Sequence, residues 1–422
     1  MIRYILKQLW KERKSNAWLL AELILVGAFI FYVTDRFMID YYTYFQPKGF
    51  DVSHTYRIKM SDKKEGDRGF VAQETSTEAE DLQLLVQRLK QMPEIENASI
   101  SYWSCFYSRG NSRRNLIADD GIVHPASDYG DYNYRRVTHD FFDVSRVYSE
   151  DGKPFDMSAL SLNNAVVITS DIRDKLFPDK QAVGKTVLSV YGTDTARFVV
   201  AGVTGLVRNS DYEKADPCIF QCLTGPVFVA NVKMFGAANA ELIIRVKPEA
   251  DRNFRADFTK KMGDRLTVNN LYVSGVEAVE EMRNSRLNYY WKEQKTDLSL
   301  FAFVLLNIFF GIIATFWLRT GYRQGEMGLR MALGSDRKGL FSLLFLEGLC
   351  LLLLTVIPVV LITVNLFYLD YMDTFRLPFG IGRLLTGLGI AYLFMFIMIA
   401  LGIWYPAQRS ARVQPAEALH YE

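Results

Sequence analysis

Residues 298–318 read Leu298-Ser299-Leu300-Phe301-Ala302-Phe303-Val304-Leu305-Leu306-Asn307-Ile308-Phe309-Phe310-Gly311-Ile312-Ile313-Ala314-Thr315-Phe316-Trp317-Leu318, a run of 21 residues without a charge. A helix needs roughly 17–25 predominantly apolar residues to cross the hydrocarbon core of a bilayer. This stretch therefore predicts a membrane span. Three further runs satisfy the same arithmetic: 17–33, whose one charge is Glu22; 340–369, whose one charge is Glu347; and 384–404, uncharged. Thr34-Asp35-Arg36-Phe37 follows the first run and is a poor signal-peptidase site, so that run reads as an uncleaved anchor.

Around these spans the composition is ordinary. The chain has 422 residues, is 50% apolar and 23% charged, and its 29 Phe, 23 Tyr and 6 Trp can bury a large core, which excludes disorder. A net charge of +2 argues against a nucleic-acid partner, which would meet a basic face. Four scattered Cys and four scattered His argue against a zinc scaffold or a disulfide-dense domain.

Short-loop Lys and Arg set the orientation. Segments 1–16, 319–339 and 405–422 together hold 12 bases and five acids. Loop 370–383 is neutral, and 34–297 is slightly acidic. Both termini and 319–339 are thus expected in the cytoplasm, with 34–297 outside. The expected fold class is an α-helical membrane protein with four transmembrane helices, one plus three, and a large mixed α/β extracytoplasmic domain between the first and second. In chain order this gives a cytoplasmic amphipathic helix (1–16), span 17–33, external domain 34–297, span 298–318, cytoplasmic loop 319–339, span 340–369, external loop 370–383, span 384–404 and cytoplasmic tail 405–422. Ile2, Ile5, Leu6 and Leu9 at helical spacing, with bases between, place the first segment on membrane lipids.

Within 34–297, residues 75–92 read as a helix with Ser76 as N-cap, an apolar face of Ala79, Leu82, Leu85, Val86 and Leu89, and Pro93 beyond its end. Asp251 is expected to cap a second helix carrying Phe254, Phe258 and Met262. Strands are expected at 165–168, 197–203, 226–232 and 241–246. Segment 104–136 reads as loop-heavy. No Gly or Pro occurs from Val276 to Phe310, so a helix is expected to continue out of the second span as a stalk; nothing breaks the chain between the first span and Pro47 either.

Sites of chemistry are scarce. Val183-Gly184-Lys185-Thr186 lacks the earlier glycine of a phosphate loop, since position 179 is Asp, and reads as a strand-entry turn. His54, His124, His139 and His420 carry no triad or ligand spacing. Cys218 and Cys222 sit too far apart in a strand to pair. Pairing of one with Cys105, or buried free thiols, both stay open, and Cys350 reads as a small residue of the third span. Glu22 and Glu347 are intramembrane carboxylates, with Asn307 and Asn365 the deep polar residues; structural polar contact and transport chemistry are both open to them. No cofactor or metal is expected.

Two cytoplasmic stretches carry a resemblance. Gln324-Gly325-Glu326-Met327-Gly328-Leu329-Arg330-Met331-Ala332-Leu333-Gly334-Ser335 resembles the Arg-Glu-Ile-Gly-Ile-Arg-Arg-Ala-Leu-Gly-Ala signature of FtsX-like, MacB-type ABC-transporter permeases, keeping Glu326, Gly328, Arg330, Ala332, Leu333 and Gly334. The tail resembles the same family's ending at Pro406, Ala407, Ala411, Pro415, Ala418 and Leu419, with His420 where the family has Arg. Weaker echoes lie in 166–186 and 199–207. The resemblance implies a non-catalytic permease subunit of a bacterial inner-membrane transporter. It also implies a separate ABC ATPase subunit, a second permease copy or paralogue as dimer partner, and an external α/β periplasmic core domain. A periplasmic adaptor is a further partner it leaves open. ATP-driven motion would enter through 319–339, where Glu326, Met327, Gly328, Leu329, Arg330, Ala332, Leu333 and Gly334 would dock on the ATPase. By mechanotransmission it would then drive export or extraction of a peptide, lipoprotein or antibiotic. The alternative is an FtsX-like scaffold controlling a cell-wall hydrolase or a peptide-sensing kinase. A receptor or adhesin without an ATPase leaves the 319–339 motif unexplained.

Overall fold

The computed structural model describes residues 7, 9–11, 13–108, 110, 112–119, 130–191, 194–261, 266–322 and 337–410. In chain order the elements are α1 (Arg13–Phe45), β1 (Thr55–Asp62), α2 (Thr75–Lys90), β2 (Ile95–Tyr102), β3 (Arg113–Ala118), β4 (Gly130–Val137), α3 (Asp140–Val144), α4 (Met157–Leu160), β5 (Ala165–Thr169), α5 (Ser170–Leu176), β6 (Thr186–Tyr191), β7 (Asp194–Thr204), β8 (Cys218–Cys222), α6 (Gly225–Phe235), β9 (Glu241–Val246), a 3-10 turn (Pro248–Asn253), α7 (Phe254–Lys261), β10 (Thr267–Val268), β11 (Leu271–Ala278), α8 (Val279–Tyr322), α9 (Arg337–Leu354), α10 (Val356–Tyr368) and α11 (Ile381–Ser410). They fall into two compact units, Met1–Phe45 with Trp291–Glu422, and Gln46–Tyr290.

The second unit is mixed α/β. Its described strands form one sheet in the order β10-β11-β1-β9-β2-β4-β3-β6-β7-β5-β8, and β8 returns to pair with β4. Six strands therefore close into a ring. The pairs β4–β8 and β5–β7 are parallel and the remaining neighbours antiparallel. Side chains alternate between the faces of a strand. Along β5, Val166 and Ile168 join Tyr134, Phe198 and Ile219 in one core, while Ala165 and Val167 join Phe141 and Phe220 in another. On the open half of the sheet, Leu82, Leu85 and Leu89 of α2, Phe228 and Val232 of α6, and Phe254 and Phe258 of α7 cover β1, β2, β9 and β11.

Several local expectations need correction. Residues 226–232, read as a strand, lie in helix α6, which has Pro226 in its first turn. Val and Phe content suggested a strand, but Thr224-Gly225-Pro226 is a helix start, with a ring that pre-sets the backbone where no N–H partner is needed. The buried residues Phe228, Asn231 and Val232 recur at helical spacing. Helix α2 starts at Thr75 behind Glu74 and ends at Lys90, so Ser76 lies within it and not at its cap. Asp251 does not cap α7. It sits in the 3-10 turn, accepts a 2.6 Å hydrogen bond from Tyr56 Oη and lies 2.8 Å from His54 Nδ1. Met262 is outside the described residues. Segment 104–136 contains β3 and most of β4. The stretch 183–186 is a turn with Gly184 at φ +83° and Thr186 opening β6. Cys105, Cys218 and Cys222 are buried free thiols. Burial pushes Cys218 and Cys222 up to about 12, which leaves them unreactive.

Four described helical stretches are long and apolar enough to cross a membrane: Asn16–Phe45, Phe341–Tyr368 and Ile381–Trp404, all in the first unit, and Val279–Thr315, whose residues up to Tyr290 belong to the second. The chain runs without a break through the 44 residues of α8, about 66 Å at the usual helical rise. The third stretch is interrupted at Thr355, between α9 and α10. Pro358 explains this, because it has no N–H for the Leu354 carbonyl and its ring crowds that oxygen. Thr355 bridges the break, its Oγ1 donating to Leu352 O at 2.6 Å and lying 3.0 Å from Tyr392 Oη. Close helix packing relies on missing side chains, as in membrane helix pairs. A Cβ on Gly27 would stand 3.0 Å from Val359, and one on Gly387 would stand 2.7 Å from the Phe31 ring.

Candidate functional site

The residues expected to dock on an ATPase, Glu326, Met327, Gly328, Leu329, Arg330, Ala332, Leu333 and Gly334, lie outside the described residues. So do Ala411, Pro415, Ala418 and Leu419 of the tail motif, whereas Pro406 and Ala407 lie in the last turns of α11. The helices on either side of the loop are described: α8 ends at Tyr322 and α9 begins at Arg337. Glu22, on α1, is half-buried and faces α8, its Oε1 standing 2.9 Å from the point a Cβ on Gly311 would occupy. Glu347, on α9, is 2% exposed.

A second polar constellation gathers at the end of this unit that carries loop 370–383. Arg383, at the start of α11, makes a two-pronged ion pair with Asp35 of α1: Nε to Oδ1 at 2.7 Å and Nη2 to Oδ2 at 2.6 Å. The side chains are 4% and 1% exposed. Arg383 also donates to the carbonyls of Asp373 and Leu377 and lies over the Phe367 ring. One turn further along α1, Asp40 accepts from Arg376 at 2.6 Å and from Gln294 of α8 at 2.8 Å. Arg36 pairs with Asp297 of α8 at 2.6 Å. For Asp373, burial alone would raise the carboxyl pKa. The Arg376 backbone and guanidinium outweigh it and hold Asp373 below the usual carboxylate range. Paired, hydrogen-bonded charges of this kind fix helix ends, because leaving either partner unpaired in such a place is expensive. Sequence reading missed this set. Two acids and two bases in 370–383 sum to zero, and nothing local says that Arg383 reaches a residue 348 positions away.

Within the α/β unit a third cluster ties the entering chain to the leaving helix. Arg208, 2% exposed, donates to the carbonyls of Gln46 (2.7 Å), Glu213 (2.9 Å) and Asp211. Asp211 takes two bonds from Arg283 of α8, at 2.8 and 3.1 Å, and faces Lys48 at 3.5 Å. Arg286 reaches Glu213 at 2.7 Å, and Tyr212 stacks on Tyr290 with ring centres 3.8 Å apart. Burial would raise the Asp211 pKa, but the Arg283 hydrogen bond and the Lys48 and Arg283 charges override it and hold it below the ordinary range. Arg283 is raised chiefly by its hydrogen bond to Asp211.

The chemistry available to these groups is binding and mechanical fastening. Among the described residues, no group of three or more His, Cys, Asp or Glu could hold a metal ion.

Comparison with known proteins adds the context that geometry alone lacks. A family model described as the MacB-like periplasmic core domain matches residues 44–261, and one described as the FtsX-like permease C-terminal domain matches residues 298–415. The macrolide export ATP-binding/permease protein MacB of Neisseria gonorrhoeae is 23% identical over 294 residues, covering 67% of this chain and 42% of that protein. The protein of the same name from Agrobacterium fabrum is 24% identical over 293 residues, with the same shares. The chain thus spans less than half the length of these relatives. Among solved structures, the periplasmic region of MacB from Actinobacillus actinomycetemcomitans covers 57% of this chain and 95% of its own, at 14% identity and a TM-score of 0.30.

Proposed function

This chain belongs to the FtsX/MacB-type family of ABC transporter permeases, and from that premise we propose that it passes the motion of a separate ATPase to its α/β domain by mechanotransmission. The domain sits outside the bacterial inner membrane, and both termini and 319–339 sit in the cytoplasm, as the excess of Lys and Arg on 1–16, 319–339 and 405–422 suggests. The permease works as a dimer and drives export or extraction of a peptide, lipoprotein or antibiotic. The observation that carries this reading is α8. One unbroken helix joins β11 of the α/β unit to the loop that resembles the family's coupling segment. A continuous helix transmits displacement along its axis where a flexible linker would absorb it.

At the loop, Glu326 and Arg330 stand i, i+4 if the segment is helical and can pair with each other or with partner groups. A glycine at 328 would let a partner's backbone come close, and if the segment is helical it costs about 1 kcal/mol against alanine. In this reading ATP binds the separate ATPase. Purification in mild detergent tests the proposal. An ABC ATPase should accompany the chain at a fixed ratio, and ATP hydrolysis should require it. Robust hydrolysis by the chain alone, or co-purification with a cell-wall hydrolase or kinase and no ATPase, would overturn it.

A further inference from the structure

We propose that Arg114 and Arg136 form a binding site for a phosphate group at the rim of the six-stranded ring in the α/β unit. The site goes beyond the proposed function and does not depend on it. Tyr132, Tyr134 and Arg136 alternate onto one face of β4, and Arg114 of β3 is paired with Tyr132. Tyr132 and Tyr134 belong to the core that holds Leu116, Phe198 and Ile219. Arg114 and Arg136 stand at the margin of that core, half-buried. Both guanidiniums lie over the Tyr134 ring, at 4.8 and 4.7 Å from its centre. The Phe235 ring lies 5.1 Å from Arg136, and the exposed Trp103 stands edge-on to Phe235.

Charge balance singles these two arginines out. Arg113, the next residue along β3, pairs with Asp131 at 2.6 Å and Asp216 at 2.9 Å. Among the described residues, no Asp or Glu pairs with Arg114 or Arg136. Arg114 donates through Nη1 to Tyr134 Oη at 3.2 Å, and Arg136 through Nη1 to Ser112 Oγ at 3.4 Å; Nε and Nη2 of both have no partner among the described residues. Gln221, 7% exposed, sits beside Arg136 in the β4–β8 pair. Its Oε1 accepts from Tyr134 Oη, and its Nε2 donates to nothing among the described residues. Burial pulls the Arg136 pKa down, more than Tyr134 raises it, and the Arg114 charge adds to the fall. Two like charges held half-buried without a counter-ion cost free energy, and an anion between them removes that cost. The array offers N–H donors and no carboxylate. A guanidinium fork matches phosphate oxygens two at a time. A phosphate monoester carries a charge of about −1.5 to −2 near neutral pH, which two guanidiniums balance, whereas one carboxylate leaves one of them uncompensated. Phe235 and Trp103 give the site an apolar edge, so the phosphate arrives either free or on a lipid headgroup.

Calorimetric titration of the full chain in maltoside detergent, at constant ionic strength set with chloride, tests the site. The probes are inorganic phosphate, short-chain phosphatidic acid, short-chain phosphatidylcholine and acetate. The first two should bind saturably, and the last two about tenfold more weakly or not at all. Phosphatidic acid binding more tightly than inorganic phosphate identifies a lipid headgroup as the occupant, and equal affinities identify free phosphate. Arg114→Gln and Arg136→Gln should each weaken phosphate binding about tenfold or more, as each removes a charge-assisted hydrogen-bond donor. Where Arg136→Gln does not fold, Arg136→Lys takes its place: it keeps the charge between Tyr134 and Phe235, loses the fork, and should still weaken binding severalfold. Arg113→Gln, whose guanidinium is already taken by two carboxylates, should bind phosphate as the wild type does. No saturable binding of phosphate by the wild type, acetate binding as tightly as phosphate, full affinity in the variants at 114 and 136, or equal weakening by Arg113→Gln overturns the site.

Discussion

Replacing Arg283 by Met removes two hydrogen bonds from Asp211 while keeping the aliphatic stem that packs beside it. The carboxylate is left 1% exposed, with Lys48, itself 32% exposed, at 3.5 Å and the Arg208 guanidinium and Tyr107 hydroxyl beside it. Deleting one partner of a buried pair costs about 3–5 kcal/mol, because the survivor stays charged and unpaired. Lys48 offsets part of this, so about 3 kcal/mol is expected. At roughly 2–4 °C per kcal/mol for a unit of some 250 residues, Arg283→Met should unfold about 6–12 °C below the wild type. The buried thiols Cys105, Cys218 and Cys222 provide the assay, since all three lie in the α/β unit and become reactive to a fluorogenic maleimide as it unfolds. The double variant Asp211→Asn, Arg283→Met should recover most of the loss, as the charge that was stranded is gone. The pH dependence has a definite sign. Asp211 in the wild type is held below the usual range, so its contribution is present above about pH 4 and is lost as pH falls through the lowered value. In Arg283→Met the main lowering influence is absent and burial dominates, so the deficit should shrink on acidification as the carboxyl is neutralised. A single variant within about 2 °C of wild type, or a double variant no better than the single, would refute the reasoning.

Two other outcomes follow from the same structure. Arg383→Met leaves Asp35 uncompensated at 1% exposure, so the variant should lose about 3–5 kcal/mol, read as a fall in the detergent concentration or temperature at which the helix unit denatures; Asp35→Asn added to it should restore most of that. An impermeant thiol reagent applied to intact cells should label a cysteine introduced at Asp128 and miss one at Arg412, and labelling at Arg412 would reverse the proposed orientation.

The membrane helices were legible because a run such as 298–318 needs no tertiary knowledge: a charge-free stretch of bilayer length has few other uses. Helix α2 was legible from its apolar face, and β5 from four consecutive buried aliphatic residues. Helix α6 was misread because Val and Phe content was weighed above the Pro226 start signal. The break at Thr355 went unread although Pro358 announces it. The ion pairs were out of reach for a different reason. Asp35 and Arg383 are ordinary residues locally, and their meaning comes from a fold that brings together positions 348 apart. Asn307 was visible as a deep polar residue, but only the fold shows that it faces outward. Closure of six strands through the β4–β8 pair is likewise non-local, because register between distant strands is set by packing and not by either strand alone.

The central claim is that a separate ATPase drives this chain through 319–339, and ATP hydrolysis by the co-purified complex carrying Gly328→Leu tests it most directly. A leucine at that position should clash at the docking surface, so the variant should insert and dimerise at wild-type levels while stimulated hydrolysis falls to that of the ATPase alone. Full stimulation by a normally expressed Gly328→Leu chain would reduce 319–339 to a basic loop that merely fixes topology, and would contradict the account.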